Sequence, residues 1–252
     1  MDQEGLWQSR RMSSCNDRIP LHEIDGPLTG NLSAMADPPV LASLDRVPYI
    51  TRWTGEKAPP VRIVQRGGGI GYADELPWDR DESGVLWTRV PWRPGQGLPE
   101  FGKVHTTRQR RAMTRLLCQV CGQQADRTAA GLLWLVGEDP ADTESWPVPL
   151  LTVHPPVCAR CAARAVRACP HLHKQHALLR VRAFDLAGVR GALYRPGRPA
   201  PVAVDVAGVA FNDPRIGWVK AGQLIMRLRE FAITGLNADE AQSQTCPRSE
   251  PV

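Results

Sequence analysis

Four cysteines in two C-x-x-C pairs are the residues of this chain best suited to chemistry: Cys118-Gln-Val-Cys121, followed by Gly122, and Cys158-Ala-Arg-Cys161. Two residues between ligands let both sulfurs of a pair converge on one ion about 2.3 Å away, and four thiolates match a closed tetrahedral Zn²⁺ site. Such a site has no open position, so its expected role is structural rather than catalytic. Gly122 suits the sharp turn after the first pair, because it takes positive φ and lets backbone N–H groups approach sulfur. The 36 residues between the pairs exceed the commonest zinc spacing. Closing a longer loop costs little, about 0.6 kcal/mol per doubling of length. Free buried thiols or a redox pair are the alternatives. A thioredoxin-like use needs a single C-x-x-C in the strand–helix context of an α/β fold, which this chain does not display.

Other candidates surround the pairs. His154, in Thr152-Val-His-Pro-Pro156, lies just before the second pair. A catalytic histidine of the HNH-nuclease kind stands at such a place, commonly after an Asp. Here Val153 precedes it, and no Asn or His follows at the helix positions where a hydrolytic metal needs ligands. A packed or hydrogen-bonded imidazole is the expectation. Cys169, His171, His173 and His176 form a local group that reads first as the turn ending a helix and second as another metal site. Cys15 and Cys246 pair with nothing identifiable. Gly67–Gly71 lacks the G-x-x-x-x-G-K-[ST] pattern of a phosphate loop and reads as a turn. No Ser/His/Asp or paired-carboxylate arrangement stands out, so a conventional enzyme is the least supported class.

Charge gathers around the cysteines. The chain carries +5 with a pI near 9.0, a mild excess that permits nucleic-acid binding without requiring it. Residues 106–182 hold eleven Arg and Lys against five acids, four of which cluster in Glu138–Glu144. Arg108, Arg111 and Arg115 share one helix face (i, i+3, i+7), and Arg160, Arg164 and Arg167 share another (i, i+4, i+7). Arginine forks suit phosphate, so two such stripes flanking one zinc form a candidate nucleic-acid surface. Solvated helix faces are the plainer explanation, because nearly all the positive charge of this chain is arginine. No aromatic ladder accompanies the stripes, which counts against single-strand stacking.

The elements that position these residues follow from periodicity and turn signals. Residues 1–45 are polar, Pro- and Ser-rich and aperiodic, and are expected to be disordered, with Met35 a candidate alternative start. Residues 46–104 form a β-rich segment with strands at Val47–Trp53, Val61–Gln65 and Val85–Trp92. Thr106 or Thr107 caps a helix running to about Leu117. Strands at Gly131–Val136 and Val148–Val153 form a hairpin, and a helix from Cys158 ends before Pro170. Cys158 and Cys161 would then sit at that helix N-terminus, where free N–H groups and the dipole favour thiolate. Arg115, Arg160 and Arg164 lie close enough in sequence to offset the charge of the loaded site. Further strands follow at Ala177–Phe184, Gly188–Tyr194 and Val202–Ala210. Asp213 caps a closing helix with Pro214 at its first position, and Ile216, Val219, Leu224, Leu228 and Phe231 form its buried stripe. Residues 236–252 are a loose tail.

The fold class expected is therefore α+β: a treble-clef-like zinc region over 105–176, built as knuckle, hairpin and helix. The β-rich segment 46–104 precedes it, and strands plus a closing helix over 177–235 follow. No apolar run approaches the ~20 residues of a membrane span. The N-terminus shows no signal peptide, and cysteines spaced this way without one point to the cytoplasm.

The strings Leu117-Cys-Gln-Val-Cys-Gly122, His154-Pro-Pro-Val-Cys-Ala-Arg-Cys161 and Cys169-Pro-His-Leu172 resemble those of an uncharacterised family of actinobacterial proteins, chiefly of Streptomyces type. The likeness runs from about Val47 to Phe231. It implies a source and the zinc site, and no activity. The functional expectation is a zinc-binding protein that contacts nucleic acid or regulates through its arginine faces. The alternatives are a zinc-stapled module for a protein partner and a thiol redox switch.

Overall fold

The computed structural model describes residues 47–137, 149–174 and 176–235. The expected loose ends, the acidic loop at 138–144 and Cys15 and Cys246 lie outside these residues. In chain order the first elements are β1 (Thr51–Trp53), β2 (Ile63–Arg66), β3 (Gly69–Tyr72), β4 (Leu86–Trp87), β5 (Pro99–Val104) and helix α1 (Thr106–Arg115). Next come β6 (Arg127–Thr128), β7 (Gly131–Val136), β8 (Leu150–Thr152), α2 (Ala159–Ala168), α3 (Pro170–Lys174), β9 (Ala177–Arg195), β10 (Val202–Ala210) and β11 (Val219–Thr234). Strands dominate, with few helices, in an α+β arrangement.

The frame is one sheet built on the antiparallel pair β9–β11, in the order β4-β11-β9-β7-β6. Strand β10 pairs with β9, and β8 pairs with β11. Two small sheets, β1–β5 and the hairpin β2–β3, complete it. Gly67, with φ +52°, turns that hairpin, and Gly69 lies so close to Gly217 that a Cβ would meet its carbonyl at 1.9 Å. The Gly67–Gly71 segment is thus a tight hairpin turn.

Three expectations are corrected. The closing helix is absent. Asp213 does cap a turn, accepting from the Arg215 N–H with Pro214 at its first position, but only the 3-10 turn Pro214–Trp218 results. Residues 219–234 then form the central strand β11. Apolar residues appear on both faces of this strand, and its register with β9 shifts four times; the shifts at Ala221/Gln223 and Leu228/Glu230 insert an extra residue, Gly222 and Arg229, into β11 itself and break its alternation. A central strand with bulges imitates helical spacing, because each extra residue resets the period of two. The strands expected at 177–184 and 188–194 are one continuous strand, β9. The hairpin expected between 131–136 and 148–153 does not form either. Strand β7 pairs with β6 and β9, while β8 pairs with β11.

Strand β7 explains where the cysteines sit. Leu132, Trp134 and Val136 join the main core, while Leu133 and Leu135 join a second cluster with Cys118, Val157, Cys158, Cys161 and Leu178. A strand buried on both faces reads as an unbroken apolar run, as Gly131–Val136 does in the sequence. Helix α1 covers part of β11: the Gln109 side chain accepts from the Leu224 N–H at 2.9 Å and donates to the Leu224 and Val153 carbonyls at 3.0 and 2.8 Å.

Candidate metal centre

The two C-x-x-C pairs meet on the second face of β7. Their four sulfur atoms all lie within 4.8 Å of one another, with Cys121 Sγ 3.9 Å from Cys158 Sγ. Four sulfurs at about 2.3 Å from one ion would stand about 3.8 Å apart at the corners of a tetrahedron. A disulfide needs about 2.05 Å, so these are unbonded thiols. The four cysteines are close enough to hold a metal ion.

Each half of the site has a local cause. Cys118–Gly122 is a tight turn in which the Gly122 N–H donates to the Cys118 carbonyl at 2.8 Å and the Cys118 N–H to the Gln123 carbonyl at 2.7 Å. Gly122 has φ +72°, and a Cβ there would meet the Tyr49 ring at 2.9 Å. Backbone conformation and space both call for glycine. In the second half, Cys158 is the N-cap of α2, and its carbonyl accepts from Ala162 at 2.9 Å. The helix ends at Ala168, with Pro170 beginning α3, as the sequence indicates.

Backbone hydrogen bonds bind the turn into the fold on both sides. His105 N–H donates to Ile50 O at 2.8 Å, Ile50 N–H to Gln119 O at 3.2 Å and Tyr49 N–H to Val120 O at 2.8 Å. On the other side, Gln119 N–H donates to Pro156 O at 3.0 Å, Asp126 N–H to Val157 O at 3.0 Å and Val157 N–H to Leu133 O at 2.9 Å. The turn is thus one rung in a ladder from α1 to β7. A buried ion pair between Asp126 and Arg180 of β9 reinforces its inner end.

Without a cation, four crowded thiols cannot all ionise. Hydrogen bonding within the group holds Cys158 low, chiefly from Cys118, and holds Cys118 low, chiefly from Cys121. Cys121 and Cys161 are pushed up, each chiefly by its bond to Cys118. A divalent cation removes that conflict by offsetting the repulsion among four thiolates.

The remaining site residues fall out differently. Among the described residues, no second group of three or more cysteine, histidine or acidic side chains is gathered at ligand distance. His154 keeps exposed surface, yet burial, with Arg190 adding to it, pushes its imidazole below the ordinary range; its carbonyl accepts from Trp134 Nε1 at 2.9 Å and its N–H donates to Thr152 Oγ1 at 3.0 Å. Cys169 closes α2, its N–H donating to Ala165 O, while His171 and His173 are exposed.

The arginines divide. Arg160, Arg164 and Arg167 are exposed along α2, and Arg111 and Arg115 are exposed on α1. Arg108 leaves the stripe: at 1% exposure it lies in a bidentate ion pair with Glu56, which is 0% exposed. Glu56 also accepts from the Trp53 and Arg93 N–H groups, both at 2.9 Å. The α1 cap is His105 rather than a threonine, its Nδ1 accepting from the Arg108 N–H at 3.3 Å while Nε2 faces Pro91 O at 3.1 Å. Glu56 carries no local signal, because Arg93 and Arg108 lie in distant segments, whereas the His105 cap is local and is masked by Thr106 and Thr107, which are the commoner N-cap type. No family model, curated protein or solved structure matches this chain.

Proposed function

We propose that Cys118, Cys121, Cys158 and Cys161 hold one structural Zn²⁺, and that the helix this metal fastens presents arginine to nucleic acid. The observation that carries the reading is the convergence of four thiols within 4.8 Å. An all-thiolate set at that spacing favours Zn²⁺ over the hard cations, which take oxygen ligands. All four protein ligands are supplied, so no position is open for a reacting molecule. The arrangement is treble-clef-like: what supports this is the order of tight turn, β6–β7 hairpin and ligand-bearing helix, the hairpin being β6–β7 rather than β7–β8. Five free cysteines among the described residues suit a reducing compartment, the cytoplasm.

The nucleic-acid surface is Arg160, Arg164 and Arg167, joined by Arg111 and Arg115. What supports it is the exposure of all five on two helices that flank the metal centre. Such side chains bind phosphate, so binding should be sequence-tolerant and salt-dependent. The test is fluorescence anisotropy with mixed-sequence DNA and RNA at about 50 mM salt, where phosphate binding is strongest. Binding should weaken in an Arg160→Ala/Arg164→Ala/Arg167→Ala triple variant whose zinc content is unchanged. The salt slope should fall by about 0.9 for each duplex phosphate that the variant no longer neutralises. No detectable binding of wild type would remove the nucleic-acid reading and leave the zinc site standing. A second reading, a docking module for a protein partner, draws on the exposed Trp78, Leu98 and Phe101. Its mark is a partner that survives nuclease and high salt.

A further inference from the structure

Cys121 differs from the other three ligands. Cys118, Cys158 and Cys161 are exposed by only 0, 5 and 4%, whereas Cys121 is half-buried. Its neighbours Gln119, Val120 and Gly122 are half-buried as well, so among the described residues this turn gives solvent a way to the metal centre. Cys121 Sγ also lies 3.9 Å from Cys158 Sγ, across the junction between turn and helix. Reactivity of a thiolate follows its access, and the attacking partner must stand close behind it.

We propose that, in the zinc-bound protein proposed above, Cys121 is the point of attack by hydrogen peroxide, and that oxidation joins Cys121 to Cys158 and releases the metal. The Cys121 thiolate attacks one peroxide oxygen, the O–O bond breaks, and Cys121 becomes a sulfenic acid as hydroxide departs. The Cys158 thiolate then attacks Cys121 Sγ, forming the S–S bond and expelling a second hydroxide. Two protons from solvent convert both hydroxides to water. Two thiolates lose two electrons, and peroxide gains them. Cys118 and Cys161 remain, too few to complete a tetrahedral site.

Cys158 is proposed as the partner because its sulfur stands 3.9 Å from Cys121 Sγ on the other segment. A Cys121–Cys158 bond spans the same junction as the metal, so turn and helix stay joined after oxidation. The backbone bonds Gln119 N–H to Pro156 O and Asp126 N–H to Val157 O hold the two segments side by side meanwhile. Oxidation within either C-x-x-C pair would leave that junction unspanned.

The experiment treats the zinc-loaded full chain with hydrogen peroxide. Released zinc is read with a chromogenic chelator, and the disulfide is located by non-reducing peptide mass mapping. Wild type should release its zinc with a Cys121–Cys158 cross-link, and should regain the metal after thiol reduction. Cys121→His keeps a fourth zinc ligand and should slow release by about tenfold or more. Cys169→Ser should release as wild type does. Any disulfide other than Cys121–Cys158, or equal release rates in wild type and Cys121→His, would overturn the inference. Should Cys121→His not retain zinc, the cross-link map of wild type decides alone. A chain that never holds zinc defeats the metal reading itself, whereas a loaded chain that keeps its zinc under peroxide defeats only this inference.

Discussion

Glu56 accepts both terminal nitrogens of Arg108, each at 2.6 Å, where neither side chain reaches solvent. The Arg108 Nη2 also donates to the Thr51 carbonyl at 2.7 Å, and the Trp92 ring lies 5.4 Å from the guanidinium. Burial works against the Glu56 charge, but the bonds from Arg108, Trp53 and Arg93 outweigh it and hold the carboxyl below its ordinary range. Arg108→Ala should therefore cost about 3–5 kcal/mol, since it strands a buried carboxylate. Urea unfolding of wild type and variant measures this. A loss below about 1 kcal/mol, the range of exposed pairs, would place the pair in solvent and return Arg108 to the basic face.

His105 makes the same region sensitive to pH. Burial, with Arg108 adding to it, pushes the imidazole below its ordinary range, against smaller opposing effects from the Pro91 carbonyl and Glu56. The neutral ring accepts the Arg108 N–H at Nδ1, which a protonated ring cannot do. The unfolded chain, with an ordinary pKa of about 6.5, takes the proton first, so stability should fall as pH drops below that value. The slope from this residue can reach about 1.4 kcal/mol per pH unit. His105→Asn retains a capping acceptor without the titration. Comparing unfolding at pH 5 and 7.5, the wild type should lose more stability than the variant; equal losses would show that His105 does not titrate in this range.

Gly122 connects sequence to metal affinity. A side chain there meets left-handed backbone and the Tyr49 ring together. The backbone conformation alone costs about 1–2 kcal/mol for alanine, which is about 5- to 30-fold in an equilibrium constant. Gly122→Ala should weaken zinc binding by at least that range in competition with a chromogenic chelator. Unchanged affinity would mean that the turn is not held in this form.

How far the sequence was legible depended on distance along the chain. The ligand pairs, the Cys158 helix start, its end before Pro170 and strand Val202–Ala210 all rest on local signals. The Asp213–Pro214 cap is local too, yet it announces only a short turn, because residues 219–234 take their conformation from pairing with β9. There the bulges of β11 mimic a helical stripe. Arg108 shares the spacing of Arg111 and Arg115, and nothing local separates it from them. Its burial depends on Glu56, 52 residues away. Likewise Gly131–Val136 reads as a buried strand, but only the partner surfaces determine that Leu133 and Leu135 back the cysteines while Trp134 faces the main core.

The central claim is a single zinc held by four cysteines, and elemental mass spectrometry of the purified chain tests it most directly. Wild type should carry one zinc per chain, and a Cys118→Ser/Cys158→Ser double variant should carry none and fold poorly. A well-folded wild type without bound metal would contradict the account.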